Sequence, residues 1–233
     1  KIKFKKKKLT KNSTSIELNG PYEIMPKNIS VASDPSSAAF FVVGALIIPK
    51  SKITLKNIAL NKTRIAFIDV LKKMGGKISI KKTKTISGED VGDITVSYSK
   101  LHGVKINSTY TPYLIDEYPI LSIAASQADG MTVMKGLSEL RHKESDRIKS
   151  ITSNLSKVGF KVTCKKDDIY IEGSKKIKIT KEKRIKTYGD HRIAMSFAIL
   201  SLLYDNKLVI DNESCISISY PNFKNHLNDL AEY

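Results

Sequence analysis

The sequence RHKESDRIKSITSNLSKVGFKVT, residues 141–163, opens on seven mostly charged residues and then takes on the period of a helix. Apolar side chains recur at three- and four-residue spacing from Ser145 to Val158, which predicts an amphipathic helix. Gly159 supplies a helix stop, and Lys161–Thr163 is predicted to form the strand that follows. The stretch therefore indicates an α/β arrangement in which a charged loop leads into a helix.

The same order of helix and strand recurs on both sides of this stretch. Further helices are predicted at Ser36–Ile48, Thr63–Met74, Pro119–Gln127, His191–Leu203 and Pro221–Leu230. Further strands are predicted at Ile53–Ile58, Ile78–Ile80, Ile94–Ser97, Thr132–Met134, Ile169–Ile171, Ile177–Ile179 and Leu208–Ile210. Residues 1–33 show only short strands and turns. Because the order repeats about every 80 residues, we predict three copies of one α/β unit around a shared core.

Composition excludes several classes of protein. The 233 residues are 41% hydrophobic and 27% charged, which is typical of a folded protein. The longest apolar run, Ala38–Pro49, has about half of the roughly 20 residues that a transmembrane helix needs. Cys164 and Cys215 have no paired spacing, so neither a zinc site nor a disulfide framework is indicated. A cytoplasmic location is expected.

The net charge of +17 comes almost entirely from lysine. Such an excess raises the alternative of a nucleic-acid-binding α/β module, since lysine and arginine neutralise phosphates without regard to sequence. The lysines are spread over every segment, however, which favours a solvated surface over a nucleic-acid face. Arginine is rare, and Arg147 and Arg192 stand where a planar, bidentate fork would bind a carboxylate or phosphate.

Three predicted helices begin at an aspartate. Asp34, Asp116 and Asp190 each come just before an apolar helical run. An aspartate in this position can cap the helix by accepting a backbone N–H of the first turn. Alternatively, if the repeats are related by pseudo-symmetry, the positive ends of these helices line a common anion-binding surface.

Five motifs, taken together, resemble the 5-enolpyruvylshikimate-3-phosphate (EPSP) synthase family. The segment 140–158 is similar to that family's LR-x-KESDR signature. The other four motifs, in the family's order, are DPSSAAFF at 34–41, LIDEYP at 114–119, TYGDHRIAMS at 187–196 and SYPNF at 219–223. The metal-site alternative of Asp190, His191 and His142 lacks ligand spacing.

The resemblance implies a fold and a domain organisation. The family's C-terminal domain is built of three repeated βαβαββ units, and its members have about twice this length. We therefore expect residues 1–33 to be the end of the N-terminal domain with the crossover, and residues 34–233 to be the C-terminal enolpyruvyl transferase domain. The missing partner is then the N-terminal domain of the same enzyme, and the chain is expected to be inactive alone.

The resemblance also implies a reaction. Family members transfer the enolpyruvyl group of phosphoenolpyruvate to the 5-hydroxyl of shikimate 3-phosphate and release phosphate, with no metal or organic cofactor. By motif match, Asp116 accepts the hydroxyl proton, Glu144 acts on the methylene carbon, and Lys143 bonds the shikimate hydroxyl and the leaving group. Arg147 and Arg192 are matched to the contacts with phosphoenolpyruvate, and His191 is a neighbour of the site.

One position departs from the pattern of some members. Those members carry a lysine that contacts phosphoenolpyruvate two residues before the aromatic of the last motif, whereas this chain has Ile218 there. A second alternative is the sister UDP-N-acetylglucosamine enolpyruvyl transferase, which shares the fold and the cosubstrate. The KESDR and DHR motifs together favour the shikimate enzyme over this relative.

Overall fold

The computed structural model describes residues 3–11, 13–23, 25–26, 28–205 and 207–230. The chain divides into two compact units, Lys1–Ser30 and Val31–Tyr233. In the first unit, strand β1 (Lys5–Lys8) pairs antiparallel with strand β2 (Thr14–Glu17), and every side chain of both strands is exposed. Strand β2 confirms the short strand that the sequence predicts at Ser15–Leu18. Strand β1 begins after the strand predicted at Ile2–Phe4, and the described residues 22–23 of the third predicted strand, Tyr22–Ile24, form no strand; Ile2 and Ile24 lie outside the described residues.

The second unit starts with a helix and a three-stranded sheet. Its elements are α1 (Pro35–Ile47), β3 (Lys52–Ala59), α2 (Ala66–Lys73), β4 (Lys77–Ile86) and β5 (Glu89–Ser97). The strand order is β3-β5-β4, with both pairings antiparallel. Ser33 forms a parallel bridge to Ile58 on β3, so a short extended segment precedes α1 at the sheet edge.

A second set of elements repeats this topology. It comprises β6 (Lys105–Ile106), α3 (Thr111–Leu114), α4 (Tyr118–Ser126), β7 (Gly130–Met134), α5 (Arg147–Val158), β8 (Lys161–Lys165) and β9 (Asp168–Gly173). The strand order is β6-β7-β9-β8, with β6 parallel to β7 and the other two pairings antiparallel. In both sets, two consecutive strands form a hairpin, β4–β5 in the first set and β8–β9 in the second. The second strand of each hairpin pairs with the strand that lies between the two helices, β3 or β7.

The third set is shorter. It comprises β10 (Lys183–Ile185), α6 (His191–Ser201), β11 (Leu208–Ile210) and α7 (Phe223–Leu230), with β10 parallel to β11. No hairpin follows α7 in the part of the chain described up to residue 230. The architecture is therefore mixed α/β, and three complete βαβαββ units are not confirmed. The predicted strand Ile177–Ile179 is wrong, because this segment is irregular.

Several predicted boundaries shift for local reasons. Helix α2 starts at Ala66 and not at Thr63, because the Asn61 side chain accepts the backbone N–H of Thr63 and forms a turn. Helix α5 starts at Arg147, because the Asp146 carboxylate caps it by accepting the Lys149 N–H at 3.0 Å. Gly159 ends α5 at φ 122°, as its position after the apolar pattern predicts.

The core lies between three apolar helices. Helix α1 buries every residue but Ser37, so it must be surrounded, and α1, α4 and α6 pack against one another. The central strands β5 and β9 cover α1 and α4 on the outside. Ser36 of α1 contacts Glu117 at the start of α4, and Arg192 of α6 contacts Asp116 next to it. The N-termini of the three central helices therefore meet.

In the described residues, none of the helices has the length and apolarity to cross a membrane.

Candidate active site

Of the three central helices, two begin at a capping aspartate and one does not. Asp34 accepts the Ser37 N–H at 2.9 Å and Asp190 accepts the Arg192 N–H at 2.9 Å, so both cap their helices. Asp116 is not a cap, since α4 starts at Tyr118 with Glu117 in the cap position and no side-chain bond there. The Asp116 carboxylate is therefore available to the arginines.

Arg147 is at the centre of the site and has no exposed surface. Its Nε donates to Asp190 Oδ2 at 2.8 Å, and its Nη2 donates to Glu144 Oε2 at 2.6 Å. Its Nη1 donates to Asp116 Oδ1 at 3.3 Å. Removing a guanidinium from water costs free energy unless negative charges compensate it, and here three carboxylates do so. Because every nitrogen of Arg147 has an acidic partner, a substrate anion would have to replace one of these partners.

Asp190 binds Arg147 from the start of α6 and is also fully buried. Burial acts to raise the pKa of this carboxyl, but the hydrogen bond and the charge of Arg147 lower it. The Arg192 N–H and the Ser145 hydroxyl lower it further, and the net pKa lies below the usual range for aspartate. Asp190 is therefore ionised and acts as the permanent counter-ion of Arg147.

Arg192 and Asp116 form the partly open edge of the site. Arg192 Nη2 lies 3.4 Å from Asp116 Oδ2, and Nη1 donates to the Asp116 main-chain oxygen at 3.3 Å. The Asp116 side chain is 39% exposed and that of Arg192 is 15% exposed. Arg192 is therefore the arginine of the cluster that solvent reaches, since Arg147 has no exposed surface.

Glu144, Lys143 and His191 lie around this edge. Glu144 is exposed apart from its contact with Arg147. Lys143 is exposed, with no ion pair to any of the described carboxylates. Burial and then the charge of Arg192 lower the pKa of His191, which favours the neutral form of this ring.

The structure thus brings most of the predicted residues together. Asp116, Glu144, Arg147 and Arg192 are connected by direct contacts although they come from three separate motifs. Lys143 and His191 are their sequence neighbours, and among the described residues neither side chain forms a hydrogen bond or ion pair with the cluster, although His191 lies within reach of its charges. Ile218 is 80% exposed on a 3₁₀ helix, Ser214–Ile218, and supplies no positive charge.

Sequence reasoning did not assign several contacting residues to the site. By sequence, Asp190 stands at a helix start and in a metal-site alternative that lacks ligand spacing, yet it is the closest acidic partner of the buried Nε of Arg147. Glu117 is 4% exposed and accepts a hydrogen bond from Ser36, which itself accepts one from Arg64. The motifs contain both acidic residues, but only burial distinguishes them from exposed carboxylates.

Solved structures identify the class of protein. The chain superposes on EPSP synthase from Acinetobacter baumannii with a TM-score of 0.86 at 35% identity, covering 98% of this chain and 52% of that one. It also superposes on the enolpyruvyl transferase NikO from Streptomyces tendae with a TM-score of 0.69 at 13% identity, covering 97% of this chain and 50% of that one. The fold is therefore that of the enolpyruvyl transferases.

Sequence comparison then identifies the family. The family model for EPSP synthase (3-phosphoshikimate 1-carboxyvinyltransferase) matches residues 3–227. The enzyme of that name from Thermoanaerobacter sp. is 42% identical over 216 residues, 93% of this chain and 50% of its own length. The one from Oceanobacillus iheyensis is 44% identical over 205 residues, 88% of this chain and 47% of its own length.

The chain belongs to the EPSP synthase family, as the five motifs predict. It spans about half the length of the curated relatives it matches. Neither the UDP-N-acetylglucosamine enzyme nor a nucleic-acid-binding module is supported by these similarities.

Proposed function

We propose that this chain is the C-terminal half of an enzyme that transfers the enolpyruvyl group of phosphoenolpyruvate to the 5-hydroxyl of shikimate 3-phosphate. The observation that carries the proposal is the Asp116–Arg147–Arg192 cluster at the meeting helix N-termini, in a chain of this family. Helix N-termini and arginines suit the carboxylate and phosphates of the two substrates. The transferase belongs to the shikimate pathway of aromatic amino acid biosynthesis, and we place it in the cytoplasm.

The proposal assigns two domains to the complete enzyme. Residues 1–33 are the end of the N-terminal domain with the crossover, and residues 34–233 form the C-terminal enolpyruvyl transferase domain. The coverage of about half of each relative supports a further domain of similar size. The open edge of the site supports it too, since Asp116 and Glu144 remain accessible to solvent.

The first chemical step is an addition. The 5-hydroxyl oxygen of shikimate 3-phosphate bonds to C2 of phosphoenolpyruvate while a proton is added to the C3 methylene. In our proposal Asp116 accepts the hydroxyl proton, and Glu144, once it has left Arg147 and carries a proton, supplies that proton to the methylene carbon. The product is a tetrahedral ketal phosphate.

The second step is an elimination. Glu144 takes a proton back from the new methyl group, the C2–O bond to phosphate breaks, and the enolpyruvyl ether remains. Lys143 donates to the leaving phosphate and to the shikimate hydroxyl. Its exposed ammonium has no ion pair among the residues that the structure describes, which supports this role.

Arg192 and Arg147 bind phosphoenolpyruvate in this scheme. Of the three partners of Arg147, Asp190 is buried and ionised, whereas Glu144 and Asp116 are partly exposed. We therefore infer that the substrate anion replaces the carboxylates of Glu144 and Asp116 on the two arginines, while the main-chain oxygen of Asp116 stays on Arg192 Nη1. The exchange releases both carboxylates for proton transfer as the substrate arrives.

Phosphate release with both substrates tests the proposal. We expect the two-domain protein, in which this chain follows its proposed first domain, to turn over at roughly 1 per second or more, and the 233-residue chain alone to show no turnover. Asp116→Asn should abolish most of the activity of the two-domain protein, whereas Asp167→Asn, outside the site, should not. Full activity of Asp116→Asn, or of the chain alone, would show that the proposal is wrong.

A further inference from the structure

A polar path connects the start of α1 to the candidate active site. Arg64 Nη2 donates to Asp34 Oδ1 at 2.9 Å and to Ser36 Oγ at 3.1 Å. Ser36 Oγ in turn donates to Glu117 Oε1 at 2.5 Å. Glu117 is bonded in sequence to Asp116, so the path ends at the residue that holds Arg192.

Glu117 is an unusual group to find in this position. A carboxyl that is 4% exposed costs stability unless its ionised form is compensated. Burial raises its pKa, and the Ser36 hydrogen bond and the charge of Arg192 offset this only in part. An apolar side chain would suit a merely structural position better, because it carries no desolvation cost.

We propose that Glu117 and Ser36 are positioning residues that hold the Asp116 turn against Arg192. The proposal rests on the function proposed above. The Ser36 hydroxyl anchors the Glu117 side chain to α1, and this sets the direction of the preceding peptide. Both the main-chain oxygen and the carboxylate of Asp116 then face Arg192, which they hold by two long contacts.

The geometry connects this anchor to substrate affinity. The contact that remains when substrate replaces the Asp116 carboxylate is the one from Arg192 Nη1 to the Asp116 main-chain oxygen, and at 3.3 Å it is long enough for a small rotation of the turn to break it. Arg192 would then sample more conformations and would bind an incoming carboxylate or phosphate less tightly. Residues that act in this way change the KM for phosphoenolpyruvate more than kcat.

Steady-state kinetics of the two-domain protein test the inference. Ser36→Ala should raise the KM for phosphoenolpyruvate about 10-fold, with kcat within about twofold, as expected for one lost hydrogen bond to a positioning group. Ser37→Ala is the matched control, because its hydroxyl binds Asp34 and not Glu117, and its KM should stay unchanged. Glu117→Gln, whose amide oxygen still accepts from Ser36, should keep a kcat/KM at least about fivefold above that of Glu117→Ala.

Two results would overturn this inference without affecting the proposed function. One is an unchanged KM in Ser36→Ala, and the other is an equal rise in Ser37→Ala, which would indicate a general effect on α1. If Ser36→Ala fails to fold by circular dichroism, the comparison of Glu117→Gln with Glu117→Ala decides, and equal kcat/KM values contradict the inference. Full activity of Asp116→Asn would instead overturn the proposed function and this inference together.

Discussion

Arg141 and Arg147 stand in one motif, and each has three acceptors, yet their surroundings differ. Arg141 donates to Asp167, to Asp146 and to the Lys166 carbonyl, and its side chain is 36% exposed. Arg147 donates to three carboxylates with no exposed surface. The same side chain with as many partners therefore fastens a loop in one case and forms a charged core in the other.

The difference shows that burial, more than the number of partners, sets what an arginine does. An exposed pair gains little, because water and salt screen it. Inside the protein, the charges of Arg147 and Asp190 interact at low dielectric. Removing either residue leaves the other as an unpaired buried group, which lowers the stability of the fold. The buried ion pair of Arg147 and Asp190 is therefore a fixed set of charges beside the edge of the site, where Arg192 and Asp116 are partly exposed to solvent.

The largest expected effect follows from breaking the buried pair. Arg147→Ala leaves the buried Asp190 carboxyl without its counter-ion, so the free energy of unfolding should fall by about 3–5 kcal/mol. Arg141→Ala, in the same motif, should cost about 1 kcal/mol or less. Urea unfolding of the chain measures both, and equal losses would contradict the comparison.

A substitution at the partly exposed edge of the site, formed by Arg192 and Asp116, should lower catalytic efficiency. Arg192→Ala removes a charge-assisted contact to the substrate and should lower kcat/KM of the two-domain protein about 30- to 1,000-fold, or roughly 2–4 kcal/mol of transition-state stabilisation. Stability should change little, since both of its contacts to Asp116 are long. A variant with unchanged catalysis would refute the role of Arg192.

The two buried carboxyls should show opposite pH dependence. The pKa of Asp190 is lowered in the fold, so its stabilisation is present above the unfolded pKa and is lost as pH falls through the folded value. The pKa of Glu117 is raised, so stability decreases as pH rises from its unfolded pKa through the folded one. Glu117→Gln should therefore be more stable than the parent at pH 8 but not at pH 4, and urea titrations at both values check this.

The smallest effect is expected at the lysine-rich start. Lys5–Lys8 are fully exposed on β1, so replacing all four by glutamine should change kcat/KM less than about twofold. A nucleic-acid module would instead lose oligonucleotide affinity, with a steep salt dependence. Binding of a labelled oligonucleotide at two salt concentrations, before and after replacement, distinguishes these outcomes.

Much of the fold was predictable because its elements carry local signals. Helices α1, α5 and α6 have an aspartate before them and an apolar pattern within them, and each starts within two residues of its predicted position. The strand Ile177–Ile179 was wrong because alternation alone does not supply a pairing partner. The incomplete third repeat was likewise not visible in a period of about 80 residues.

The candidate site was predictable only where a motif carried it. The sequence by itself determined the charged motifs, the starts of α1, α5 and α6 and the family, because these depend on residue types at fixed spacing. Only the tertiary structure decided that Arg147 is buried against Asp190, that Arg141 is not, and that Glu117 reaches Ser36 on another helix. The physical reason is desolvation, since the energy of a charge depends on how much water surrounding elements exclude, and that is settled when α1, α4 and α6 pack together.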